Sequence, residues 1–101
     1  MKLIWTEPAV LDLENIKDYI DKDSEYYASL FVERVFVAVE KITGFPYLGR
    51  EVPEYKVENV REVLYYNYRI IYEIKHNEII ILTIVHGARD LNNLHPWDFS
   101  E

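Results

Sequence analysis

The stretch Tyr68-Arg69-Ile70-Ile71-Tyr72-Glu73-Ile74-Lys75, followed after His76-Asn77 by Glu78-Ile79-Ile80-Ile81-Leu82-Thr83-Ile84-Val85-His86, decides the fold. Side chains of an extended chain point alternately to two faces. In the first segment this puts Tyr68, Ile70, Tyr72 and Ile74 on one side and Arg69, Ile71, Glu73 and Lys75 on the other. The second side is the more polar one, so it is expected to be the open face of a sheet, with Arg69 standing on it. The second segment is apolar at both parities, the pattern of a strand inside a sheet. A third extended segment, Arg61–Tyr66, precedes these two. Short connections at Asn67 and at His76-Asn77 make the three a meander.

Upstream the period changes from two to between three and four. Lys2–Thr6 fits a short strand, and Thr6 is then placed to cap a helix whose first turn holds Glu7 and Pro8. Ala9, Leu13, Ile16 and Ile20 mark one apolar stripe on that helix. Ser24 is placed to cap a second helix, with Ala28, Phe31, Val32, Val35, Val39 and Ile42 on its buried face and Gly44 and Pro46 at its end. The two or three residues between them predict an antiparallel helix hairpin. Phe45–Val60 contains Pro46, Gly49 and Pro53 and no sustained period, so it reads as a loop crossing the domain. The expected fold class is α+β: an N-terminal strand and a helix hairpin packed on one face of a mainly antiparallel sheet ending in a three-stranded meander.

At 101 residues the chain has room for one core, and residues 1–101 are read as a single domain. It contains no cysteine, which excludes disulfides and thiolate metal sites. The three histidines stand in no recognised ligand spacing, and the three glycines form no phosphate-cradling loop, so neither metal nor other cofactor is expected. The N-terminus lacks a signal-peptide pattern, and the longest apolar run, Ile79–Val85, is far below the roughly 20 residues of a membrane span. A cytoplasmic protein with no membrane partner is expected. A net charge of −7 opposes general nucleic-acid binding. That charge is uneven: nine acidic and four basic residues lie between Glu7 and Thr43, whereas four of the five arginines lie in the second half.

Several short motifs then occur in order: Ala9-x-x-Asp12-Leu13 with Ile16 and Tyr19-Ile20, Phe45-Pro46-x-x-Gly49-Arg50, Arg61-Glu62-Val63, Tyr68-Arg69-Ile70-Ile71-Tyr72, and Ile84-Val85-His86-Gly87-Ala88-Arg89-Asp90. With the order of elements, they resemble the RelE/ParE toxin superfamily of bacterial type II toxin–antitoxin systems, the plasmid-stabilisation type, over nearly the whole chain. The resemblance implies a growth-inhibiting toxin neutralised by a cognate antitoxin, through which oligomers can form. It also implies one of two targets: the ribosome and its mRNA in the RelE-like branch, DNA gyrase in the ParE-like branch.

Metal-free RNA cleavage needs a base for the 2′-hydroxyl, cations for the phosphorane and a proton for the leaving oxygen. On the RelE pattern Arg69 and Arg89 fall on the expected arginines, and His95 falls near the expected general acid. The two expected strand lysines are replaced by Val60 and Glu62. A second nuclease arrangement would join His86, Glu62 and Arg69. Each candidate also has a structural reading: Arg69 paired with Glu62 or Glu73 across the sheet, His86 a strand-end residue, Arg89 paired with Asp90, and His95-Pro96-Trp97 a clasp over the sheet. Arg50, Arg61, Glu62, Arg69 and Arg89 are the candidates for contact with target or antitoxin. The missing lysines and the acidic balance favour the ParE-like branch, a toxin that is not an enzyme. The alternative is a RelE-like ribosome-dependent mRNA endoribonuclease using Arg69, Arg89, His86 or His95, and the second alternative an inactive homologue that only binds its antitoxin.

Overall fold

Thr6 ends the first strand and begins the first helix with one hydroxyl. That hydroxyl accepts from the Ala9 N–H at 3.2 Å and donates to the carbonyls of Ile81 and Leu82 at 2.9 and 3.0 Å. It therefore caps the helix and pins it to the sheet at the point where the strand leaves off. In the computed structural model, which describes residues 1–99, the elements run β1 (Lys2–Trp5), α1 (Glu7–Asp21), α2 (Glu25–Gly44), β2 (Arg50–Glu51), β3 (Val60–Tyr65), β4 (Tyr68–Lys75) and β5 (Glu78–His86). A single 3-10 turn, Pro96–Phe99, follows. Ser100 and Glu101, included in the single-domain expectation, lie outside the described residues. Ser24 caps α2 through the Tyr27 N–H at 3.2 Å.

The sheet has the order β1-β5-β4-β3-β2. β1 pairs parallel with β5, and every other pair is antiparallel. The helices cover one face. Ala9 and Leu13 from α1 and Phe31, Val35, Val39 and Ile42 from α2 pack on Ile70, Tyr72, Ile79, Ile81 and Ile84. The alternation along β5 slips by one residue at Leu82, where a bulge pairs Ile71 with Thr83 but Tyr72 with Ile81. This bulge explains Asp12 of the first motif. Its carboxylate accepts from the Thr83 hydroxyl and from the Ile84 N–H at 3.0 Å, satisfying donors that a regular ladder would have used.

Two expectations are corrected. The second face of the sheet is not open along its length: Ile71, Val60, Leu82 and Val85 are buried there under Val52, Leu91 and Phe99. The physical reason lies in the two segments read as loop and chain end. Each carries apolar residues, spaced too irregularly to show a period, that close a second core. Phe99 is the buried part of the C-terminal clasp, whereas Trp97 is 66% exposed. Second, the crossing segment holds the short edge strand β2, whose Arg50 and Glu51 pair with Glu62 and Arg61.

Tyr55 packs against this second core, and its buried hydroxyl finds no partner among the described residues. Burial raises its pKa, helped by the nearby charge of Glu54. An orphaned buried donor carries a desolvation cost that its ring does not need. Tyr55→Phe is therefore expected to leave stability unchanged or raise it by up to about 1 kcal/mol. Urea denaturation checks this; a clear loss would mean that the hydroxyl is satisfied in solution.

No helix among the described residues is long and apolar enough to cross a membrane. None of their acidic or histidine side chains form a group of three or more suited to a metal ion.

Candidate functional site

The second face of β3 and β4 is built around Arg69. This side chain points away from the helices, as the alternation predicts, but it is 4% exposed rather than free on a surface. Its Nε donates to Glu62 Oε1 at 2.7 Å. Its two terminal nitrogens donate to Glu54 at 2.8 and 2.6 Å, and one of them also donates to the Arg89 carbonyl at 3.1 Å. Glu62, with a fully buried side chain, also receives Arg50 Nε at 2.7 Å. Glu54 reaches onward to accept from the Leu91 N–H at 3.2 Å.

Four polypeptide segments thus meet at one guanidinium: β3 through Glu62, β4 through Arg69, the crossing segment through Glu54, and the turn after β5 through Arg89 and Leu91. The hydrogen bonds from Arg69 hold the Glu54 carboxyl at about 2, below its ordinary 4.5, against the opposing effect of burial. The reciprocal bond to Glu54 raises the Arg69 guanidinium above its usual range, again against burial, with Glu62 adding to the rise.

The edge of this face is fixed by Tyr72. Its hydroxyl donates to the Pro46 carbonyl at 2.6 Å and accepts from the Gly49 N–H at 3.0 Å, so it anchors the segment that delivers Arg50. Burial raises the Tyr72 pKa, partly offset by the Gly49 N–H. Arg61 donates to the carbonyls of Gly49 at 2.7 Å and Glu58 at 2.9 Å and lies 5.1 Å from the Tyr47 ring centroid. It therefore braces the crossing segment.

Beyond Arg69, towards the β3–β4 turn, the second face opens into a depression of about 360 Å³. Arg50, Leu64, Tyr66, Arg69 and His86 are among its walls. The His86 ring lies 5.8 Å from that of Tyr68, and its Nδ1 accepts from the Ala88 N–H at 3.1 Å. The structure therefore brings Arg50, Arg69 and His86 to one place, with Glu62 beneath. Arg89 touches this group through its carbonyl, while its side chain is exposed and makes no ion pair with Asp90 among the described residues. Asp90 instead accepts from the Asn92 N–H at 2.9 Å. His95 is not among the walls of the depression; it stacks on Trp97 with ring centroids 4.3 Å apart.

Glu54 escaped sequence reading. Nothing in Pro53-Glu54-Tyr55 distinguishes it from other acidic loop residues, and only the need of a buried arginine for a second carboxylate could have raised the question.

Residues 3–91 match the family described as ParE toxin of type II toxin–antitoxin system, parDE. Among solved structures, the chain resembles one described as the chromosomal ParDE TA system from P. aeruginosa, with 27% identity and a TM-score of 0.70. The similarity covers 85% of this chain and 95% of that one. No curated protein matches the chain. A strand, a helix hairpin and a meander, with an arginine-centred second face and a family match across most of its length, make this chain a member of the ParE toxin family of type II toxin–antitoxin systems.

Proposed function

We propose that this toxin acts in the cytoplasm by binding and inhibiting DNA gyrase, and that it does so without cleaving RNA. One observation carries the reading: Arg69 is already committed. Its guanidinium makes four hydrogen bonds to Glu62, Glu54 and the Arg89 carbonyl in a nearly closed site. A transition-state phosphorane can be stabilised only by donors free to meet it. Val60 and Glu62, in the places of the strand lysines, supply no cation and are themselves buried. In this reading Glu62, Arg69 and Arg61 position the surface, and Arg50 and Arg89 are the cations exposed to meet target or antitoxin.

The rival is a ribonuclease using His86 beside Arg50, since both border the open depression. Two measurements separate them. Purified toxin is expected to inhibit gyrase supercoiling, with relief by a stoichiometric amount of antitoxin. Transcript ends mapped after induced expression are expected to be unchanged. Codon-positioned cleavage that disappears in His86→Ala would overturn the proposal, and His86 is exposed enough for that variant to fold.

A further inference from the structure

The exposed end of β3 has an unfilled backbone edge. The Val52 N–H donates to the Val60 carbonyl at 3.3 Å, so Val60 turns its backbone groups away from β4. By strand alternation Glu62 and Leu64 do the same. β2 stops at Arg50, opposite Glu62, so nothing pairs with Leu64 on that side. Leu64 is also 59% exposed as a side chain, on the face where it borders the depression. A short edge strand usually protects such a site; here β2 ends one pairing step before it.

Two features beside this edge point to a ligand. Tyr66, at the β3–β4 turn, has φ 51° and is 83% exposed. A turn position of that kind favours Gly or Asn, and an aromatic residue held there costs stability. The second feature is charge. On a chain of net charge −7, the depression is lined by Arg50, Arg69 and His86 and by no carboxylate. Arg50 uses only its Nε on Glu62, and its side chain is 59% exposed.

We propose that the Leu64 edge of β3 and the adjoining depression receive an extended acidic segment of the cognate antitoxin, added as a strand, with a carboxylate on Arg50. The inference rests on the toxin–antitoxin reading and names the site of that partnership. Main-chain bonds at Leu64 supply the register, Leu64 and Tyr66 supply apolar contact, and Arg50 selects for acid. An acidic peptide fits this patch where RNA, repelled by the surrounding acidic surface, does not.

The test uses the full-length toxin and the purified product of the adjacent reading frame, with Kd measured by calorimetry and Tm measured in parallel. Leu64→Pro removes the outward N–H from an edge position that tolerates proline. Tyr66→Gly removes the aromatic contact and relaxes the turn. Each is expected to weaken binding by about tenfold or more, while the Tm of Tyr66→Gly holds or rises. Arg50→Gln is expected to flatten the salt dependence of Kd. A more stable variant that binds less well cannot be explained by unfolding. Wild-type affinity in Leu64→Pro and Tyr66→Gly would overturn the site and leave the antitoxin partnership standing. Failure of the wild-type toxin to bind its neighbour's product would overturn both. Unchanged antitoxin binding with lost retention of a short oligoribonucleotide would assign the patch to RNA and overturn the proposal.

Discussion

Arg69→Met is expected to cost about 3–5 kcal/mol of folding stability, because removing one partner of a buried ion cluster strands the others. Glu62 has no exposed side-chain surface, and Glu54 is 14% exposed, so neither can turn to water for compensation. A loss of that size removes a large part of the roughly 5–15 kcal/mol available to a domain of this kind. Urea denaturation read by circular dichroism measures it. Arg69→Met combined with Glu62→Met and Glu54→Met is expected to recover more than half of the loss, because well-packed apolar replacements of such clusters are often neutral. A single variant that melts within a few degrees of the wild type would refute the account. The same prediction bears on function. Loss of toxicity in Arg69→Ala cannot be read as loss of a catalyst until the fold of the variant has been measured.

The cluster also predicts an acid limb of instability. The Glu54 carboxyl titrates at about 2 in the fold against 4.5 unperturbed. Its folded pKa is the lower, so its contribution is complete above pH 4.5 and is lost as pH falls towards 2. Glu54→Gln is expected to be less stable at neutral pH and to show a shallower decline across that window. Unfolding midpoints at several pH values for the two proteins test the difference in slope.

Much of this architecture was readable because it depends on periodicity and caps. Thr6 and Ser24 begin the helices as their positions predict, and the alternation through Tyr68–Lys75 correctly separates the helix-facing side from the Arg69 side. The family resemblance was legible for the same reason, since its motifs lie at helix starts, strand centres and strand ends. What lies over the second face was not legible. Val52, Leu91 and Phe99 come from segments without a repeat, and burial there depends on where irregular chain passes in space. Arg69 therefore read as a residue on an open face, although the carboxylate that encloses it lies 15 positions upstream in a loop. A long-range ion cluster leaves no local signature. The unpaired edge at Leu64 was hidden too, because β2 has only two residues and its end is set by Gly49 and Tyr72.

Gly49 and Gly44 allow that last relation to be tested by one substitution made twice. A Cβ at Gly49 would stand 2.4 Å from the Glu62 carbonyl oxygen and 2.8 Å from the Tyr72 hydroxyl. The first neighbour is backbone of β3 and cannot swing aside, so the segment carrying Arg50 must move outward. Gly49→Ala is therefore expected to cost about 1–3 kcal/mol from overpacking, with about 1 kcal/mol more if the Gly49–Tyr72 hydrogen bond breaks. At Gly44, the last residue of α2, a Cβ meets nothing within 4 Å and the backbone is not left-handed. Gly44→Ala is expected to stabilise the fold by about 0.5–1 kcal/mol, by reducing the freedom of the unfolded chain. Opposite shifts in urea midpoint from the same added methyl would establish that Gly49 is required by close approach and Gly44 is not. Equal shifts would refute the packing of the Arg50 segment against β3. Because that packing presents Arg50 at the depression, Gly49→Ala is also expected to weaken antitoxin binding, an effect that Gly44→Ala should not share.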